Sequence, residues 1–334
     1  MPKFYKKWIE LSNSITGLWS ADIKYSNTQS VKNKLDELDY VVSYIIAGGY
    51  FAGGNNNSFQ SYIDKLLFSN DSRSTLTAVL SQSVEYQSAC NSTSSGYFTG
   101  GSNSGSRYSY IDKLLFKKET RSTLIATLSQ SIYWQSACNS SLAGYFAGGY
   151  YNYYSFIDKL LFNDESRSTL TVTLSQSIDS QSACNSSLSG YFAGGVNGSS
   201  SNYQSFIDKL LFNGDSRSTL SAILSQSINS QSACNSSLAG YFAGGNNGSF
   251  RSYIDKLLFN GDSRSTLLAT LSQSVYVQSA CNSSISGYFT GGYNSSYKSF
   301  IDKLLFSNDS RSTLIVTLSQ SVYGQSACQS GNIL

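Results

Sequence analysis

Tyr145-Phe146-Ala147-Gly148-Gly149 is one of six copies of a Tyr-Phe-(Ala/Thr)-Gly-Gly pentapeptide; the others begin at Tyr50, Tyr97, Tyr191, Tyr241 and Tyr288. Successive copies stand 47, 48, 46, 50 and 47 residues apart. A period of this length marks a repeat architecture, in which one supersecondary unit is copied and stacked.

The segments flanking the pentapeptide read as short strands. In the unit from Gln135 to Ile178, Gln-Ser-Ala-Cys-Asn at 135–139 opens a strand of small residues, and Ser140-Ser141 turns it into a second strand at 142–147. After a variable loop, Phe-Ile-Asp-Lys-Leu-Leu-Phe at 156–162 gives a third strand, and 163–166 a polar turn. Leu170, Val172 and Leu174 alternate with Thr171 and Thr173, which predicts a fourth strand over 170–174. Gly and Ser clusters interrupt any helical period. Four strands per unit, six units in a row, predict an all-β fold: a six-bladed β-propeller of four-stranded blades.

The unit resembles a kelch repeat. The glycine doublet after an apolar strand, the strand around Phe156-Ile157-Asp158-Lys159-Leu160, and Ser168-Thr169-Leu170 fill the kelch positions over roughly residues 46–330. The resemblance implies a kelch-like propeller. It departs from the family where leucine (Leu76, Leu124, Leu170, Leu220, Leu267, Leu314) stands in place of the usual tryptophan. The Ser/Asn/Tyr-rich texture also resembles the repeats of bacteriophage tail-fibre and appendage proteins. That likeness implies a virion component synthesised in the host cytoplasm.

Two domains are expected, an attachment arm over 1–45 and the propeller over 46–334. The first Gly-Gly unit has no Gln-Ser-Ala-Cys strand before it, and the last such strand, ending at Cys328, has no Gly-Gly unit after it. One closure puts this C-terminal strand into the first blade; the rival uses residues 41–46 and leaves the C-terminus loose. The arm does not match the repeat. It carries Phe4, Tyr5, Trp8 and Trp19 and a short predicted helix over 30–41. It either packs beneath the propeller or docks into a larger assembly, with oligomerisation expected.

Composition narrows the chemistry. The chain has no histidine, which removes His-based triads and imidazole metal centres. Net charge is +3, and the basic residues recur at fixed repeat positions, so no nucleic-acid footprint is read. No P-loop or dinucleotide fingerprint occurs. The start lacks a signal-peptide h-region, and no apolar run is long enough to span a membrane. The six cysteines recur once per unit and are read as buried, reduced thiols rather than disulfides or metal ligands. No cofactor, metal or catalytic residue is expected, and the chain is read as non-enzymatic.

Comparison between copies locates the candidate site. Asp158, Lys159 and Arg167 repeat in every unit and are read as structural pairs. The loops after Gly-Gly and the links between units diverge, and strand alternation puts both sets on one face. The candidates on that face are Glu85, Tyr86, Arg107, Tyr133, Trp134, Tyr150, Tyr151, Tyr153, Tyr154, Arg251, Tyr276, Tyr293 and Tyr297. Their chemistry is that of an adaptable binding surface and suits a host-surface glycan. Neutral drift of exposed loops is the plain alternative. A structural protein binding only protein neighbours, and a glycan-cleaving enzyme using Glu85 and Asp179, complete the set.

Overall fold

A computed structural model describes residues 47–150, 153–198 and 202–331. The arm residues Phe4, Tyr5, Trp8 and Trp19, the helix expected over 30–41, and Tyr151 lie outside them. From Ala47 onward the chain forms six four-stranded antiparallel sheets, the blades of a β-propeller. No helix occurs among the described residues.

One blade stands for all. Its strands, from the axis outward, are Ser136–Asn139, Ala143–Ala147, Ile157–Leu161 and Arg167–Thr169. The inner strand is made of small residues because all six inner strands crowd about the axis, each beside its two neighbours. The second strand is buried along its whole length. Tyr145 and Phe146 point to opposite sides of the sheet, as period two requires, and each fills a different seam. Tyr145 packs with Ile157, Leu174 and Ile178 against Phe192 and Leu210 of the following blade. Phe146 fills the preceding seam with Tyr97 and Ile111.

The ring is closed by the two ends of this unit. Ser326–Gln329 pairs with Gly48–Ala52, with Tyr50 opposite Cys328, so one blade draws its inner strand from the C-terminus and the other three from the N-terminal side.

The outer strand differs from its prediction. It is Arg167–Thr169, not 170–174, and it is largely solvent-facing. The Leu170 and Leu174 amides reach only the carbonyls of Ile157 and Ser155, at 2.9 and 2.8 Å. The alternation at 170–174 therefore reflects a segment crossing the seam between blades and dipping leucines into it, with single hydrogen bonds instead of a ladder.

The repeated charges join neighbouring blades. Asp158 is fully buried. It accepts from Thr169 within its own blade (2.6 Å) and lies 3.5 Å from Arg167, whose Nε donates to the Thr127 carbonyl of the preceding blade. Lys159 reaches forward to Asp215 of the next blade at 2.7 Å and lies over the Tyr145 ring at 5.4 Å. The same Lys-to-acid bridge recurs around the ring, including Lys303 to Asp71 across the closure and Lys113 to Glu165. At the end of the axis bearing the Asn139–Ala143 turn, asparagines form a parallel device: Asn139 N–H donates to Asn185 Oδ1.

The glycine preceding each Tyr-Phe has a contact reason. A Cβ at Gly144 would lie 2.4 Å from Cys90 Sγ of the preceding blade, and a Cβ at Gly240 only 2.3 Å from Cys184 Sγ. All six cysteines are free and buried.

Candidate functional site

The divergent segments meet at one end of the axis. Each link residue forms a β-bridge with a residue just after Gly-Gly: Glu85 with Ser102, Tyr133 with Tyr150, Asp179 with Val196, Asn229 with Asn246, Tyr276 with Tyr293, and Tyr323 with Asn55. The glycine doublets make room for this. Gly148 has φ +65° and Gly149 φ +110°, and a Cβ at Gly148 would strike the Ile178 carbonyl at 2.6 Å.

The next residue in each link sits closest to the axis, and all six have left-handed backbone: Tyr86, Trp134, Ser180, Ser230, Val277 and Gly324. That geometry turns each peptide to meet its neighbour. Trp134 N–H donates to Tyr86 C=O, Ser180 to Trp134, Ser230 to Ser180, Val277 to Ser230, Gly324 to Val277 and Tyr86 to Gly324, at 2.7 to 3.0 Å. The result is a closed hydrogen-bonded collar. Inside it, a cavity of about 100 Å³ is lined by these six residues and by Gln87, Gln135, Gln181, Gln231, Gln278 and Gln325.

Among the described residues, ten aromatic rings run around the collar in unbroken contact. Phe250 stacks on Tyr276 (5.1 Å), which meets Tyr293; Tyr293 meets Tyr297, and Tyr297 stacks on Tyr323 (5.5 Å). Tyr323 meets Tyr86, Tyr86 meets Trp134, and the series continues through Tyr133, Tyr150 and Tyr153. Arg107 lies over the Tyr133 ring at 5.9 Å. Tyr297 also donates to Asn57 of the next blade at 2.9 Å. The arc is interrupted by a polar sector of Asp179, Asn229 and Asn246.

The sequence candidates divide accordingly. Tyr86, Tyr133, Trp134, Tyr150, Tyr153, Tyr276, Tyr293 and Tyr297 belong to the arc, and Arg107 and Glu85 border it. Tyr154 instead packs on Phe156 and against the buried core of its seam. Arg251 is committed to Asn247 through Nε at 2.8 Å. Phe250 and Tyr323 were not among the candidates. Tyr323 occupies the same link position as Tyr133 and Tyr276, which is the signal that identifies it. Phe250 closes a variable loop, and nothing in one sequence shows that it reaches Tyr276.

Among the described residues, two carboxyls, Asp179 and Glu85, lie at this end. Asp179 is 3% exposed and accepts from Ser180 Oγ at 2.7 Å; burial pushes its carboxyl up to about 6. Burial also raises Glu85, against the opposing effect of Tyr323 and Asn55. The Tyr133 link separates the two acids around the collar.

The loops are tethered. Asn197, Asn247, Asn294 and Asn56 donate to Gln176, Gln226, Gln273 and Gln320 respectively, each in the segment preceding the link. Such repeated tethers fix the loop frame while leaving its tip free to vary.

At the opposite end, Leu142, Leu188, Leu238 and Ile285 occupy equivalent turn positions in four consecutive blades, 65 to 74% exposed. Among the described residues no helix is long and apolar enough to cross a membrane. A scan against protein-family models gives no match, and a search of curated proteins gives none either. Fold and site together define a six-bladed β-propeller with an aromatic arc around one axial mouth.

Proposed function

We propose that this chain is a non-enzymatic binding propeller. It engages a host-surface glycan through the variable face, and residues 1–45 anchor it as a kelch-like appendage of a virion. The observation that carries the reading is the arc of ten contiguous rings. Aromatic faces stack on the C–H faces of sugars, and the neighbouring Asn, Ser and Tyr groups supply hydrogen bonds to hydroxyls. Tyrosine gives large contact area at low side-chain entropy cost. The tethered loops limit the ordering that binding must impose. The kelch-like repeat and the tail-fibre texture support the appendage setting, as does the aromatic-rich sequence of the arm.

A second reading, a structural component that binds only protein neighbours, draws support from the exposed aliphatic side chains at the opposite end. A glycan array compared with Tyr150→Ser and Tyr293→Ser variants separates them. Glycan binding that falls in both variants supports the first reading. Binding that persists in both, or no binding to any glycan, refutes it.

A further inference from the structure

The axial cavity has a lining distinct from the arc around it. It is ringed by Tyr86 and Trp134 on one side and by Val277, Ser230 and Ser180 on the other. Its six glutamines, one from each blade, are only 5 to 7% exposed. The amide oxygen of every one lacks a hydrogen-bond partner, and so does the buried indole Nε1 of Trp134. Five of the six glutamine Nε2 groups are used: Gln181, for example, donates to Ala147 C=O at 3.0 Å, and Gln135 to Thr99 Oγ1 at 2.9 Å. The collar's backbone is fully engaged in its own ring of hydrogen bonds. Recognition here must therefore come from side chains.

The balance of groups selects a ligand class. Among the described residues, no ionised side chain lines the cavity. A carboxylate would find no cation, and the apolar surface of Trp134, Tyr86 and Val277 favours a ligand with an apolar part. The cavity, about 100 Å³ and open toward the arc, has room for a small substituent. The walls offer apolar surface from Trp134, Tyr86 and Val277 and the Ser230 hydroxyl, with the unpartnered glutamine oxygens and Trp134 indole N–H buried just behind that surface, where an entering group would have to reach them. A planar group with a methyl, an N–H and a carbonyl matches this set.

We infer that the axial cavity is a socket for the acetamido group of an N-acetylated sugar. The inference rests on the glycan reading of the face and narrows it to a sugar class. The sugar ring sits outside, on the arc beside Tyr86 and Trp134, and the acetyl methyl enters.

Saturation-transfer NMR on the intact chain tests this, using a chito-oligosaccharide and a cello-oligosaccharide of equal length. The two differ at the acetamido position, and both present flat sugar faces to the arc. The expected result is strongest saturation at the acetyl methyl and binding about tenfold tighter for the N-acetylated chain. In Ser230→Trp the preference disappears; Trp134 shows that the left-handed position accepts an indole, and a thermal melt checks folding. If that variant does not fold, the methyl signal in the unaltered protein still decides. Saturation of ring protons in both sugars, with equal affinity and a weak methyl signal, overturns the socket and leaves the arc standing. No saturation from either sugar overturns the socket and counts against the glycan reading itself.

Discussion

Asp158 Oδ2 accepts both the backbone N–H and the hydroxyl of Ser129, at 2.7 and 2.8 Å, and Ser129 belongs to the preceding blade. The other oxygen serves the aspartate's own blade. A single carboxylate thus ties a strand to its neighbour, and equivalents such as Asp64 with Ser319 carry the tie across the ring closure.

Removing this tie is expected to destabilise the propeller. Asp158→Ala leaves the Ser129 amide and the Thr169 hydroxyl without acceptors, at a cost of about 2–4 kcal/mol. Asp158→Asn keeps one acceptor and loses less. Urea unfolding followed by far-UV circular dichroism gives both values, and equal midpoints for Asp158→Ala and the unaltered chain would contradict the assignment.

The contact between Gly240 and Cys184 predicts a coupled pair. Gly240→Ala alone forces a Cβ to within 2.3 Å of the thiol and is expected to cost about 1–3 kcal/mol. In Gly240→Ala/Cys184→Ala the nearest approach becomes that to Phe259 Cε1, at 3.5 Å, with the residue 184 Cβ at 3.6 Å, both ordinary contacts. The double variant is therefore more stable than Gly240→Ala, and a double-mutant cycle measures the coupling.

Burial pushes all six thiols up from their ordinary range. A thiol held protonated away from solvent is a poor nucleophile. The native protein should release no chromophore from Ellman's reagent at pH 8, whereas the same protein in guanidinium should titrate all six cysteines.

Asp179 gives a pH dependence of definite sign. Its folded value of about 6 lies above the ordinary 3.8, so between these limits the folded state holds a proton that the unfolded state has lost. Stability from this group therefore falls as pH rises from about 4 to 6 and is flat above, by about 3 kcal/mol at most. Asp179→Asn removes that slope and is more stable than the parent at pH 7. Glu85, raised in the same direction, contributes equally to both proteins. Thermal melts at pH 4.5 and 7.5 should show the gap between parent and variant widening with pH.

The pairing of Ser326–Gln329 with Gly48–Ala52 is a clasp. Deleting residues 325–334 strips the first blade of its inner strand and exposes Tyr50 and the Cys281 seam. Loss of the cooperative melt, with aggregation, is the expected outcome; an unchanged melt would show that the clasp contributes nothing.

How much of this was legible in the sequence follows from what repetition records. Spacing and glycine doublets exposed the blade count because every copy obeys the same backbone demand. The buried pairings of Asp158 and Lys159 were legible as structural for the same reason, since a sixfold feature serves the frame. The outer strand was misplaced because Leu170, Val172 and Leu174 alternate for burial, while ladder hydrogen bonds leave no mark on side-chain identity. Tyr86 and Trp134 were legible as site candidates, but the collar that joins them was not: it depends on left-handed backbone at residues that are Tyr, Trp, Ser, Val or Gly, a set with no common chemistry. Phe250 was opaque because its reach to Tyr276 is set by the fold of its loop.

The uniformity of the joints between blades has a consequence for variation. Every unit presents the same thiol and lysine to the unit that follows it, and the same glycine, aspartate and arginine to the unit before it. Any unit can therefore be exchanged or reordered without designing a new seam, and each exchange rewrites the pattern of rings around the mouth. The molecule is in effect a rotary cassette, whose variable face can be rearranged by shuffling modules of its own gene.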